Sequence, residues 1–231
     1  MIGIVKMGTG RPSRRERPAK PALSREGIVA VALEITRREG LDKATMRRLA
    51  QELDTGPASL YVYVHNTADL YAAMLDELLG EVDLAPVNAR GPWRKRLLAV
   101  LTSYSLVLYA NPGLAQSAMV SRPSGSNYLK VLDALLGLLK AGKVPDNRAA
   151  WGVDLLLLYA TSIATEQGVR AIAFDADDTH GALIQAVLGA DAAQHPHIAR
   201  LGEELFSGEG SDRLAWGFEV LIAGIVATPR R

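Results

Sequence analysis

The 231-residue chain has no cysteine, which removes disulfide frameworks, thiolate metal sites and thiol redox chemistry. Its longest apolar run, near Leu155 to Ala164, falls short of the ~20 residues needed to span a bilayer. Met1 to Lys6 is too short and too weakly apolar for a signal peptide. No membrane partner is expected, and a cytoplasmic location fits the missing cysteines. No alternating strand pattern and no internal repeat occur. The Gly8-Thr9-Gly10 run fails as a phosphate loop, because no strand precedes it and no helix opens directly after it. Nor do a nucleophile, a base and an orienting group stand in a spacing that implies catalysis.

Charge is nearly balanced at +1 overall, but unevenly placed. Residues 1 to 48 hold twelve Lys or Arg against five Asp or Glu, while residues 81 to 231 hold fourteen against fifteen. The basic end is the candidate nucleic-acid end. Residues 1 to 23, rich in Gly, Pro and Arg, read as a flexible basic arm, either touching DNA beside the main site or simply solvated.

Beyond the arm, every periodic segment is helical, so an all-α fold is expected. Ser24 caps a helix that Gly40 stops. Thr45 caps a second, whose Met46, Leu49, Ala50 and Leu53 recur at three- and four-residue steps. Asp54 then stands where the chain leaves the helix, a place that often demands positive φ. Gly56 and Pro57 punctuate the turn, and Pro57 opens a short third helix, because a missing N–H costs nothing at the first helical position. That helix carries Ser59, Tyr61 and Tyr63 on one side and anchors itself through Leu60 and Val64. Asn66 or Thr67 begins a fourth helix that runs to Gly80. Two helices, a tight turn and a short exposed helix form the geometry that enters the DNA major groove.

The segment from Ser24 to Leu79 resembles the DNA-binding domain of TetR-family regulators. The resemblance lies in Leu49 to Leu53, in Ser59 to Tyr61, in Tyr63 to Asn66 and in the Asp69-Leu70 pair that opens the next helix. It implies an N-terminal helix-turn-helix domain over residues 24 to 80 and a helical effector-binding and dimerisation domain over residues 81 to 231. It also implies DNA contacts at Thr45, Arg47, Pro57, Ala58, Ser59, Tyr61, Tyr63 and Thr67. Two departures stand out: the family usually has glycine at the place of Asp54 and lysine at that of Thr67. Losing the lysine removes one charged phosphate contact. Arg48 reads as a surface charge, and His65 as an exposed histidine or a phosphate contact.

In the larger domain, helices are expected at Trp93 to Ala110, Leu114 to Met119, Tyr128 to Lys140, Arg148 to Ala173, Thr179 to Leu188, Ile198 to Phe206 and Ser211 to Ala227. The Arg148 and Ser211 helices are apolar over more of their circumference than one surface helix needs. By resemblance they pair with a second copy through Leu155, Leu158, Leu214, Phe218, Leu221, Ile222 and Ile225, although burial within one subunit satisfies the same pattern. An effector pocket between helices would use Tyr104, Met119, Tyr128, Tyr159 and Glu166. No cofactor is expected. His195 and His197 around Pro196, and His180 near Asp175, Asp177 and Asp178, read as turn structure rather than a metal site. The expected function is a ligand-responsive, sequence-specific repressor, a homodimer releasing a palindromic double-stranded operator when a small molecule binds. The rivals are a constitutive DNA binder without effector and a helical small-molecule-binding protein or enzyme with a degenerate DNA-binding domain.

Overall fold

The computed structural model describes residues 23–120, 123–172 and 176–230, so the basic arm expected over residues 1 to 23 lies outside it except for Leu23. The described residues form α1 (Arg25–Glu39), α2 (Met46–Glu52), α3 (Pro57–Leu60), α4 (Thr67–Leu79), α5 (Trp93–Ala110) and α6 (Pro112–Val120). There follow α7 (Ser126–Ala141), α8 (Asp146–Ile172), α9 (Ala176–Leu188), α10 (Pro196–Phe206) and α11 (Gly210–Ala227). No strand occurs among the described residues.

Local chemistry sets the first four helices. The Ser24 hydroxyl accepts from Gly27 N–H at 3.0 Å, and Gly40 at φ 96° stops α1. Thr45 Oγ1 accepts from Arg48 N–H at 3.2 Å, satisfying one of the orphan donors that opens α2. Asp54 takes φ 48° in the turn. The third helix is shorter than the two turns its sequence suggests: only Pro57–Leu60 is α-helical. A turn then continues it, with the N–H groups of Tyr63 and Val64 both donating to Leu60 C=O at 2.9 and 3.0 Å. Leu49, Leu60, Val64 and Leu70 are fully buried in the same hydrophobic cluster as Ile28, Ala32 and Ile35 of α1.

The segment between α4 and α5 is laid against the body of the protein. Val82 is buried, while Leu84 and Val87 pack on the core. Asp83 N–H donates to Ser103 Oγ at 2.8 Å, and Arg96 donates to Val87 C=O at 2.8 Å. One hydrophobic cluster therefore runs from Ile28 to Ile225.

At its centre α8 packs against α5, α6, α7 and α11. Two glycines allow α11 to approach closely. A Cβ at Gly152 would meet Ile225 at 2.8 Å, and one at Gly217 would overlap the Tyr159 hydroxyl. Phe218 is fully buried, with its ring edge-on to Tyr159 at 5.2 Å. This corrects part of the expected interface. Leu214, Phe218, Ile222 and Ile225 are buried inside the single subunit and Leu221 is partly buried, because the α8–α11 contact already consumes that face. Leu155 and Leu158 stay exposed, as do Trp151, Trp216 and Val220. Phe218→Ala should therefore lower subunit stability by about 3–5 kcal/mol, measurable by urea denaturation.

Candidate functional site

The turn between α2 and α3 leaves a continuous exposed surface. Pro57, Ala58 and Ser59 all face solvent, and Tyr61 and Val62 are 50% and 75% exposed. Tyr63 differs from its neighbour. It is half-buried and packed on the core, and its carbonyl accepts from Arg25 at 2.8 Å, so it anchors the end of the third helix more than it presents a tip. Val62 carries no signal in the sequence, because a lone apolar residue between Tyr61 and Tyr63 reads as one more anchor of the helix. Thr45 and Thr67 are exposed, at the N-terminal ends of α2 and α4.

The two adjacent arginines of α2 separate sharply. Arg48 bridges Glu39 at 2.9 Å and also pairs with Glu52, and the hydrogen bond to Glu39 leads the effects that hold its guanidinium charged. It joins α1 to α2 and is a structural clamp rather than a solvated charge. Arg47 is exposed and has no ion pair among the described residues. With Thr45, Ser59 and Tyr61 it forms an exposed set of hydrogen-bond donors of the kind that phosphates and base edges accept.

A second clamp holds the chain just beyond the third helix. Arg25 donates to Asp69 at 2.7 and 3.2 Å, a forked pair stronger than a neutral hydrogen bond. Asp69 also accepts from His65 N–H at 2.9 Å and lies 3.1 Å from His65 Nδ1. The Arg25 hydrogen bond holds the Asp69 carboxyl far below the usual carboxylate range; desolvation opposes it and the His65 N–H assists. Asn66 caps α4 by accepting from Asp69 N–H at 2.8 Å. His65 is thus both exposed and tied to the cap.

The body of the protein contains a cavity of about 60 Å³ between α5, α6, the start of α7 and α8. Tyr104, Met119 and Tyr128 line it, as the sequence suggested, and Ala118, Pro123, Asp154, Leu157, Leu158 and Thr161 complete it. The Thr161 hydroxyl donates to Leu157 C=O at 2.8 Å and lies 3.3 Å from the Tyr104 hydroxyl. Two expected residues do not belong. Tyr159 points to the α11 side, packing on Phe218 and donating to Arg213 C=O at 3.4 Å; Glu166 is exposed and absent from the lining. Their common spacing put them on one helical face, but that face is not the one α5 and α6 cover. His180 stacks edge-on against Phe206 at 6.2 Å.

Comparison with known proteins decides the family. Residues 28–74 match the description "Bacterial regulatory proteins, tetR family", and residues 85–228 match "Tetracyclin repressor-like, C-terminal domain". The chain belongs to the TetR family. It is a DNA-binding transcriptional regulator. It is similar to SCO7704 of Streptomyces coelicolor, assigned as a transcription regulator, with 53% identity, a TM-score of 0.78 and coverage of 92% of this chain and 98% of that one. ActR of the same organism, solved in complex with actinorhodin, is 34% identical at a TM-score of 0.79, covering 89% of this chain and 96% of that one. The transcriptional repressor DrrR1 of Streptomyces coeruleorubidus is 29% identical over 93% of this chain and 83% of its own length. Among the described residues no single helix of the regulator is long and apolar enough to cross a membrane.

The Arg25–Asp69 clamp should show in pH dependence. A carboxyl whose folded pKa is depressed stabilises the fold above its unfolded value, near 3.9, and loses that contribution as pH falls toward the folded value. Asp69→Asn should cost about 1 kcal/mol at pH 7. Its deficit relative to the wild type should shrink below about pH 4, as read by chemical denaturation at both pH values.

Proposed function

We propose that this regulator is a ligand-responsive repressor acting as a homodimer on a palindromic double-stranded operator, which it releases when a small molecule occupies the cavity of the larger domain. The observation that carries this reading is the path through α4. Asp69 at its start accepts from His65 N–H and from Arg25, which also donates to the Tyr63 carbonyl just beyond the exposed Pro57–Tyr61 surface, and its body packs against α6 and α7, which supply Met119 and Tyr128 to the cavity. Movement of the cavity wall is therefore movement of the DNA reader. A typical coupling of ~1–3 kcal/mol weakens binding about 5- to 150-fold. DrrR1, named as a repressor, and ActR, solved with actinorhodin, support the same assignment.

Dimerisation follows from the size of the reader. One turn of helix touches few base pairs, and two copies about one DNA turn apart read a palindrome. The exposed Trp151, Leu155, Trp216 and Val220 on α8 and α11 offer the surface for the second copy, and Arg230 over the Trp151 ring at 3.7 Å steadies its edge. Trp216→Glu should convert dimer to monomer in sedimentation equilibrium without loss of helical content, since Trp216 makes little of the subunit core.

The decisive test is fluorescence anisotropy on DNA upstream of the protein's own reading frame against scrambled DNA, at several salt concentrations. One preferred fragment, bound by two subunits, is expected. Tyr61→Ala should weaken that complex about tenfold or more, and Arg47→Ala should lower the salt slope by about 1. Equal affinity for both fragments, with no preferred site emerging from selection on random DNA, would defeat the assignment.

A further inference from the structure

The C-terminal end of α4 and the N-terminal end of α7 complete one another. Gly125 precedes α7 and has no side chain to cap it, so the first N–H groups of α7 need an acceptor from elsewhere. Asp76 of α4 provides it: its carboxylate accepts from Tyr128 N–H at 2.8 Å and from Asn127 N–H at 3.4 Å. Negative charge at this place also suits the helix dipole. In return Asn127 Nδ2 donates to the Asp76 carbonyl at 3.0 Å, one of the last four carbonyls of α4, which lack intrahelical partners. The joint is tight. A Cβ at Gly125 would overlap the Asp76 carboxylate.

The position of this joint gives it a role. Tyr128, whose N–H is fastened to Asp76, lines the cavity, and so does Pro123, two residues before Gly125. The far end of α4 carries Asp69, which accepts from His65 N–H and from Arg25, itself bonded to the Tyr63 carbonyl just beyond the third helix. The cavity holds only about 60 Å³, whereas ligand sites usually enclose ~300–1,000 Å³. An occupant of that size would press on the lining, Tyr128 included, and a displaced Tyr128 segment would pull on Asp76.

We propose that Asp76 is the positioning residue that carries cavity occupancy to the DNA-reading helix, by splicing α4 to the start of α7. The proposal rests on the ligand-responsive reading above. Its test uses a covalent occupant: Ala118→Phe places an aromatic ring in the cavity. Operator affinity is measured by anisotropy in the full-length protein for wild type, Ala118→Phe, Asp76→Ala and the double variant, on the preferred fragment or on a site selected from random DNA. Ala118→Phe is expected to weaken operator binding at least about tenfold in the wild-type background and less than about twofold in the Asp76→Ala background, within the range of allosteric couplings. Asp76→Asn keeps an acceptor for Tyr128 N–H and should restore most of the response. If Asp76→Ala does not fold by circular dichroism, Gly125→Ala replaces it, since its methyl group opens the joint from the other side. Equal weakening by Ala118→Phe in both backgrounds would overturn the role of Asp76 and leave the ligand-responsive reading intact. No weakening even in the wild-type background would instead overturn that reading, and the splice with it.

Discussion

Two carboxylates on one helix hold the protein together as a functional object. Asp69 and Asp76 lie seven residues apart on α4: Asp69 accepts from the Arg25 guanidinium of α1 and from His65 N–H just before α4, and Asp76 accepts from the first N–H groups of α7. A helix leaves four N–H and four C=O groups without partners at its ends, so an all-helical fold must find acceptors and donors for them or leave them to water. Here that requirement also fixes angles. Arg25 and Asp69 set where the third helix points, and Asp76 and Asn127 set how α4 leans on the body. The hydrophobic core makes the assembly stable; these directional contacts determine which arrangement is stable.

The parts of the fold written locally were readable from the sequence. Ser24, Thr45 and Asn66 each cap the helix they precede, and α5 occupies the expected Trp93 to Ala110. The later helices begin one to three residues before the expected starts. Their first turns carry no apolar stripe, and Pro112 and Pro196 fit there because first-turn N–H groups have no intrahelical partner. Contacts between residues 44 or 51 positions apart, as for Arg25–Asp69 and Asp76–Asn127, leave no periodic trace. The interface residues show a related limit. Periodicity announces that Phe218 and Ile222 are covered, but not whether the cover comes from the same chain, and α8 of the same subunit covers them. Tyr159 was displaced from the cavity for the same reason.

Neighbouring charges illustrate how little composition says about role. Arg47 and Arg48 differ by one step of about 100° around α2. That step turns Arg48 toward Glu39 and Glu52 and leaves Arg47 in solvent on the side of the turn. One residue fastens two helices; its neighbour remains available to a polyanion. The half-burial of Tyr63 beside the exposed Tyr61 repeats the pattern on α3 and its continuation.

The narrowness of the cavity also bears on what it could tell apart. A space of about 60 Å³ is filled by a few waters, and Tyr104, Thr161 and Asp154 set polar groups among its apolar lining. A buried polar group left without a hydrogen bond costs about 1–3 kcal/mol. Which waters an incoming molecule replaces, and whether it restores their hydrogen bonds, would therefore weigh more than how much volume it fills.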